Sequence, residues 1–221
     1  MTSITISRLA TPDIPATADI IVDAFATEAL TSYWIDLGTV KVREHYAGLL
    51  RSKLRDDLRR GEPLLAARTT TSELPVGVAV IQSGDHSRSR LRTLFAVLPL
   101  LRHLPGVLPG VQWRSLIHLP EVRRAMEPPE SIPSPHQTLE ILGVRPDQQG
   151  RGVGTALLEA VHRQSVASGL EGTYLITAEL KTRAIYHHLG YDTRAIRQVG
   201  PLDIYHMYRP SRPGAIVELH P

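Results

Sequence analysis

The feature that most constrains this chain is a glycine-rich segment two-thirds of the way along it, residues 144–155, VRPDQQGRGVGT. It follows an apolar, strand-like run and precedes a helical pattern. Gly150, Gly152 and Gly154 alternate, so several backbone N–H groups can point into one concavity at the positive end of the helix. This predicts a pyrophosphate site that needs no metal, because backbone amides supply the positive potential.

Other phosphate-binding motifs fit the segment poorly. A dinucleotide fingerprint, G-x-G-x-x-G, would need glycine at Thr155, and it would open an N-terminal strand–helix–strand unit. A P-loop needs a lysine that this segment lacks. A glycine-rich turn without any ligand is the remaining alternative. Glycines this dense weaken the start of a helix, so such a turn needs another reason to exist.

Composition excludes several classes of function. With 221 residues, 42% hydrophobic and 21% charged, the chain is expected to fold as one soluble domain, 1–221. It contains no cysteine, so disulfides, thiol nucleophiles and cysteine metal sites are excluded. The 25 basic residues barely exceed the 22 acidic ones, which gives no support for a nucleic-acid partner. The histidines lack metal-ligand spacing, and no metal is expected.

No membrane partner is predicted either. Residues 1–10 hold a single charged side chain and no apolar run, which is unlike a signal peptide. The longest apolar stretch, Leu94–Leu101, is too short to span a bilayer and is interrupted by Pro99. We therefore expect a cytoplasmic protein.

The hydrophobic periodicity predicts a mixed α/β sheet flanked by helices. In the N-terminal part we expect a first strand at Ser3–Leu9, a helix from Thr11, a helix at Val42–Arg60 and a hairpin of Leu64–Arg68 with Val76–Gln82. In the last third we expect strands at Gln137–Val144, Thr173–Thr177, Arg194–Val199 and Asp203–Tyr208, with helices at Gly152–Ser168 and Thr182–Leu189.

A proline-rich stretch, residues 86–135, separates these two parts. Its eight prolines and short apolar bursts predict two or three short helices joined by turns. We interpret it as a helical insertion, which is either a lid that faces the substrate or a packing element or dimer surface. Residues 210–221 are expected to form a C-terminal tail.

Two motifs resemble the GNAT superfamily of N-acetyltransferases. Residues 149–154, QGRGVG, match its Q/R-x-x-G-x-G/A signature, and residues 184–191, AIYHHLGY, resemble its later x-F-Y-x-x-x-G-F segment. Within the superfamily the chain resembles the puromycin N-acetyltransferase-like subgroup. The good match covers about residues 136–209. The resemblance implies a largely antiparallel mixed sheet that is splayed at the strand lining the cofactor.

The resemblance also implies acetyl-CoA as co-substrate. The edge of the strand at Leu142, Gly143 and Val144 would pair with the pantetheine arm of acetyl-CoA. The N–H groups of Gly150 through Thr155 would hold the pyrophosphate, with Gln149 and Arg151 at its rim. Thr182 stands where relatives often have an asparagine that contacts the cofactor. The implied cofactor residues are Leu142, Gly143, Val144, Gln149, Gly150, Arg151, Gly152, Val153, Gly154, Thr155, Thr182 and Tyr186.

Acyl transfer to an amine needs a base, an oxyanion donor and an acid for the departing thiolate. Tyr186 matches the family tyrosine that faces the thioester, and we predict it as the general acid; the alternative is an aromatic that only packs on the cofactor. Glu140 is the first candidate for the base, or else a salt-bridged strand carboxylate. His136 is the second candidate, or else a loop histidine. The N–H of Val144 is the oxyanion donor that the resemblance implies.

The sequence therefore predicts an acetyl-CoA-dependent N-acetyltransferase that acts on a primary amine of a small molecule. One alternative is a non-catalytic acyl-CoA-binding module. Another is an enzyme that acetylates peptide or protein amines, for which the acceptor groove would be open rather than covered by the insertion. The acceptor itself is not predicted, and the resemblance allows a homodimer.

Overall fold

The structure, a computed structural model, describes residues 3–83 and 103–212. Seven strands are present in these residues: β1 Ile4–Arg8, β2 Leu64–Thr69, β3 Ser72–Gln82, β4 His136–Val144, β5 Gly172–Thr177, β6 Asp192–Val199 and β7 Leu202–Pro210. The helices are α1 Ile14–Phe25, α2 Ala29–Trp34, α3 Val40–Arg59, α4 Leu104–Val107, α5 Leu119–Met126, α6 Val153–Ala167 and α7 Leu180–His188. The predicted elements are confirmed, with ends shifted by a few residues.

All seven strands form one sheet in the order β1-β2-β3-β4-β5-β7-β6. Neighbours are antiparallel except β4 and β5, which pair in parallel at only three positions, from His136 opposite Gly172 to Thr138 opposite Tyr174. Beyond these positions β4 continues beside β3, whereas β5 continues beside β7. The sheet is thus split by a gap that opens toward the end of β4. This confirms the predicted mixed, splayed sheet.

Each face of the sheet is covered by helices with an apolar side. On one face, α6 packs Leu157, Leu158 and Val161 against strand residues such as Ala79 and Leu139. We call this the α6 face. On the other, the α1/α3 face, apolar side chains of α1 and α3 cover those of β2 and β3. The cluster includes Ile20 and Ile21 of α1, Leu50 and Leu54 of α3, Ala66 of β2, and Val78 and Val80 of β3. The core therefore lies in two layers, one on each side of the sheet.

The α2 helix was not predicted. It has only six residues, and a run this short shows no clear helical periodicity. Its start is fixed by Glu28, whose side chain accepts hydrogen bonds from the N–H groups of Leu30 and Thr31. A local cap, rather than a repeated pattern, therefore determines where α2 begins.

The described part of the insertion bridges two distant regions. Backbone hydrogen bonds join its middle to α2, from the N–H of Asp36 to Gly110 O (2.7 Å) and from the N–H of Gln112 to Trp34 O (2.9 Å). Arg197 of β6 donates to the carbonyl oxygen of Glu127 (2.8 Å), just beyond α5. The short predicted helices are confirmed there, whereas Leu94–Leu101 lies outside the described residues. In the part of the chain that is described, no helix could cross a bilayer.

A substitution at Gly172 should test the packing where β5 begins. A Cβ added there would overlap the backbone oxygen of Arg209 and the phenol of Tyr208. Gly172→Ala should therefore lower the free energy of unfolding by about 1–3 kcal/mol. Urea denaturation checks this. Gly154→Ala is the control, because its added Cβ would meet only Val144 Cγ2 at 3.7 Å; equal stabilities of the two variants would contradict the prediction.

Candidate active site

The gap between β4 and β5 exposes backbone groups of β4. The N–H of Arg145 donates to Val76 O (2.9 Å), so this residue points its backbone groups toward β3. Hydrogen-bonding residues alternate along an antiparallel pair. Val144, which lies opposite Gly77, and Leu142, opposite Ala79, therefore point their backbone groups away from β3 and into the gap. An extended ligand placed there can pair with the strand as β5 would.

The loop after β4 is held in shape by its own side chains. Arg145 donates two hydrogen bonds to the carboxylate of Asp147 (2.6 and 2.7 Å), which holds the pKa of that carboxyl well below its usual range. The side chain of Gln149 donates to Val144 O (3.2 Å). These contacts order the turn that leads from the gap to the start of α6. Arg151 is exposed at the same turn.

The glycines of this loop leave room for a ligand. Gly150 and Gly152 have φ values of 73° and 83°, a conformation that favours glycine. A Cβ at either residue would meet no atom within 4 Å. The first bond of the helix runs from the N–H of Ala156 to Gly152 O, so the N–H groups of Val153, Gly154 and Thr155 precede it and are open to a ligand. This arrangement fits a pyrophosphate.

Tyr186 of α7 belongs to the apolar cluster that also holds Leu139 of β4 and Leu175 of β5. Its ring packs in the α6-face cluster, 8% exposed, with its centroid 5.6 Å from that of Tyr191. Within the described residues its hydroxyl makes no hydrogen bond, and that oxygen is not among the fully buried ones. Burial raises the pKa of the Tyr186 phenol, and the carboxylate of Glu28 adds to the increase. The phenol is therefore protonated near neutral pH and can donate a hydrogen bond.

The two candidate bases lie on the α1/α3 side of β4. Glu140 is the extra residue of a β-bulge, between Leu139 opposite Ile81 and Ile141 opposite Val80. Its carboxylate forms an ion pair with Lys53 of α3 (2.6 Å). His136 is buried at the parallel end of β4, and its Nδ1 donates to Pro133 O (2.9 Å). Glu140 and His136 are thus separated along the strand and have different partners.

Thr182 lies in the first turn of α7. Its hydroxyl donates to the carboxylate of Glu179 (3.1 Å), whose other oxygen accepts from the N–H of Ala29 (3.3 Å). The threonine therefore takes part in a link between α7 and α2. No sequence motif pointed to Glu28 or Glu179, because their importance depends on where α2 and α7 meet.

The sequence analysis also did not predict a buried hydrogen bond between side chains of β5 and β7. The hydroxyl of Tyr174 and Nδ1 of His206 lie 2.7 Å apart, and the ring of His136 packs edge-on against Tyr174. These side chains come from β4, β5 and β7. Only the strand order brings them together.

His206 should make stability depend on pH. Burial, with the Arg197 guanidinium adding to it, lowers the pKa of His206 to about 4 from the usual value of about 6.5. The unfolded chain thus binds more protons below pH 6.5, so the folded state loses stability as the pH falls from about 6.5 toward 4. Urea denaturation at several pH values should show a smaller loss in His206→Gln, which can keep the bond to Tyr174. Identical pH profiles would contradict this.

In residues 3–83 and 103–212, no group of three or more His, Cys, Asp or Glu side chains could hold a metal ion.

Comparison with known proteins finds one matching family model and several similar folds. Residues 126–193 match the family model described as "Acetyltransferase (GNAT) domain". No curated protein matches the sequence. The fold is similar to a Corynebacterium glutamicum protein described as histone acetyltransferase HPA2 and related acetyltransferase, at 19% identity and a TM-score of 0.64, covering 96% of this chain and 99% of that one.

Two further solved structures are similar. One is the ribosomal-protein-S18-alanine N-acetyltransferase of Escherichia coli, at 17% identity and a TM-score of 0.56, covering 99% of each chain. The other is yncA, a putative acetyltransferase of Salmonella typhimurium with its cofactor acetyl-CoA, at 16% identity and a TM-score of 0.55, covering 98% of this chain and 99% of that one. The family match thus covers the segment from the end of α5 to the start of β6, and the solved structures share the fold of the whole chain.

Proposed function

We propose that this protein is a member of the GNAT superfamily that transfers the acetyl group of acetyl-CoA to the primary amine of a small molecule by direct attack on the thioester. The observation that carries the proposal is the gap between β4 and β5. The gap opens toward the glycine-rich loop, residues 150–155, and Tyr186 belongs to the apolar cluster that includes Leu139 of β4 and Leu175 of β5. A thioester reagent with a pyrophosphate fits this combination of backbone and side-chain groups.

The cofactor would be held mainly by backbone atoms. The N–H groups of the loop from Gly150 to Thr155 would bind its pyrophosphate, and the outward-pointing backbone of Leu142 and Val144 would pair with its pantetheine amides. Gln149 and Arg151 would lie at the rim of this pyrophosphate site, and Thr182 would contact the cofactor from the start of α7. The proposed residues are Leu142, Gly143, Val144, Gln149, Gly150, Arg151, Gly152, Val153, Gly154, Thr155, Thr182 and Tyr186.

In the reaction, the amine nitrogen forms a bond to the carbonyl carbon, and the carbon–sulfur bond then breaks. The N–H of Val144 points into the gap, where it can donate to the developing oxyanion. The Tyr186 hydroxyl can donate to the departing sulfur. The proton lost by the amine goes to a base, for which Glu140 is the first candidate and His136 the second.

Two contacts of the insertion favour a small acceptor over a peptide. Residues 110–112 are joined to α2, and Arg197 ties the end of α5 to β6. The described insertion is therefore fixed against α2 and β6, and we expect it to limit the size of the acceptor. We also propose a cytoplasmic location, since that compartment supplies acetyl-CoA.

Calorimetry and a thiol assay test the proposal. The protein should bind coenzyme A, and a panel of primary amines should include at least one that causes release of free CoA from acetyl-CoA. Binding without CoA release for any amine would favour the non-catalytic acyl-CoA-binding module. Release only with peptide amines would favour the protein-acetylating alternative.

A further inference from the structure

The β-bulge in β4 gives Glu140 an unusual place in the sheet. Glu140 is the extra residue between Leu139 and Ile141, so it has no partner on β3. It also follows Thr138, the last residue of β4 that pairs with β5, and therefore lies on the part of β4 that borders the gap. Bulges of this kind turn a side chain in a new direction and are frequent next to active sites.

One ammonium group holds two carboxylates at this point. Lys53 Nζ of α3 donates to Glu140 Oε2 (2.6 Å) and to Asp57 Oδ2 (2.7 Å). The side chain of Asp57, one helical turn after Lys53, is 7% exposed, whereas that of Glu140 is 25% exposed. Burial acts against the charge of Lys53, but Glu140 and Asp57 together outweigh burial and raise the pKa of Lys53, which stays an ammonium ion.

The charges of this cluster do not balance. Among residues 3–83 and 103–212, Asp57 and Glu140 form ion pairs with Lys53 alone, so two carboxylates share one cation. The neighbouring ion pairs between α3 and α1 each join one arginine to one carboxylate; they are Arg43–Asp23 and Arg51–Asp19. The Lys53 cluster can therefore accept one proton and become neutral, while Lys53 keeps a counter-ion.

A cross-link between α3 and β4 does not by itself account for the cluster. Asp57 is already a buried partner for Lys53 at helical spacing, so the second carboxylate adds a charge that the cross-link does not need. Lys53 engages only Oε2 of Glu140, and within the described chain Oε1 accepts no hydrogen bond. A carboxylate held through one oxygen can still accept a proton on the other.

We propose that Glu140 is the base of the reaction and that Lys53, anchored by Asp57, is the positioning residue that holds its carboxylate. The inference rests on the proposed function and assigns its proton-transfer step. The amine nitrogen bonds to the carbonyl carbon and passes one proton to Oε1 of Glu140, which becomes a carboxylic acid. The carbon–sulfur bond breaks, and the sulfur takes the proton of the Tyr186 phenol. Proton exchange with water then restores both side chains.

Four variants, assayed with ethylamine as a small primary amine, test this. Glu140→Gln should lower kcat/KM at least about 100-fold, because the base is lost although the amide oxygen can still accept from Lys53. Lys53→Met should lower it about tenfold, because the carboxylate remains but is no longer held. Lys53→Arg should stay within about threefold of wild type, since a guanidinium can bind both carboxylates. Arg60→Met, which breaks the Arg60–Asp56 pair directly after α3, is the matched control and should keep kcat/KM.

The order of these losses separates a positioned base from a structural contact. A purely structural ion pair would suffer more from Lys53→Met, which leaves the buried Asp57 unpaired, than from Glu140→Gln, which keeps a hydrogen bond. A loss in Lys53→Met as large as that in Glu140→Gln would therefore overturn the proposal. So would a further loss when Lys53→Met is added to Glu140→Gln, because Lys53 should act only through Glu140.

Urea denaturation shows which variants keep the fold. If Lys53→Met does not fold, Glu140→Gln decides alone, and a loss of less than about tenfold in kcat/KM would overturn the proposal. Failure of the wild type to bind coenzyme A, or to release it with any amine, would instead refute the proposed function.

Discussion

Tyr186→Phe should lower kcat by about 100-fold and leave the Kd for acetyl-CoA nearly unchanged. General acids contribute about 10²–10⁴-fold to proton-transfer steps. We expect the lower end, because burial and Glu28 raise the pKa of this phenol and so oppose complete transfer of its proton to the sulfur. The ring itself stays, and its packing with Tyr191 is retained. Steady-state kinetics and calorimetry measure the two effects separately.

Tyr191→Phe is the matched control. This neighbouring ring is fully buried, so its hydroxyl does not reach the gap, and its loss should leave kcat within about twofold. Equal turnover in Tyr186→Phe and the wild type would show that Tyr186 only packs on the cofactor.

Gly154→Asp should abolish coenzyme A binding while it stabilises the fold. An acidic side chain in the first turn of α6 interacts favourably with the helix dipole, and it replaces a flexible glycine, so unfolding should cost about 0.5–1 kcal/mol more. The same charge would face the pyrophosphate and should weaken binding at least about 30-fold. Thermal denaturation should therefore show a higher Tm, whereas calorimetry should show a higher Kd for coenzyme A.

Gly154→Asn separates charge from size. The amide has nearly the same volume without the negative charge, so it should weaken coenzyme A binding much less than aspartate does. Room for a side chain is present, since the nearest atom to an added Cβ is 3.7 Å away. Equal weakening by aspartate and asparagine would contradict the prediction, because the side chain would then exclude coenzyme A by its size and not by its charge.

Much of the fold followed from local patterns. The strand, glycine loop and helix around residues 136–167 were predicted because alternation, helical spacing and positive-φ glycines each depend on neighbours in the chain. The loop owes its shape to glycines close together in the chain, so the spacing of Gly150 and Gly152 was enough to indicate it. The α2 helix was missed, since a single cap at Glu28 begins it.

Contacts between distant elements behave differently. The N–H of Ala29 and the hydroxyl of Thr182 both donate to Glu179, although α2 and α7 are far apart in the sequence and no spacing rule connects them. Likewise, the hydrogen bond between Tyr174 and His206 follows from the pairing of β5 with β7.

What the sequence alone determined is therefore the order of the elements and the glycine-rich loop, because both depend on contacts between residues close along the chain. The tertiary structure decided where β4 and β5 separate and which side chains surround that gap. The gap and its surroundings depend on strand order and helix docking. These are contacts between residues far apart in the chain, and such contacts produce no periodic pattern in the sequence.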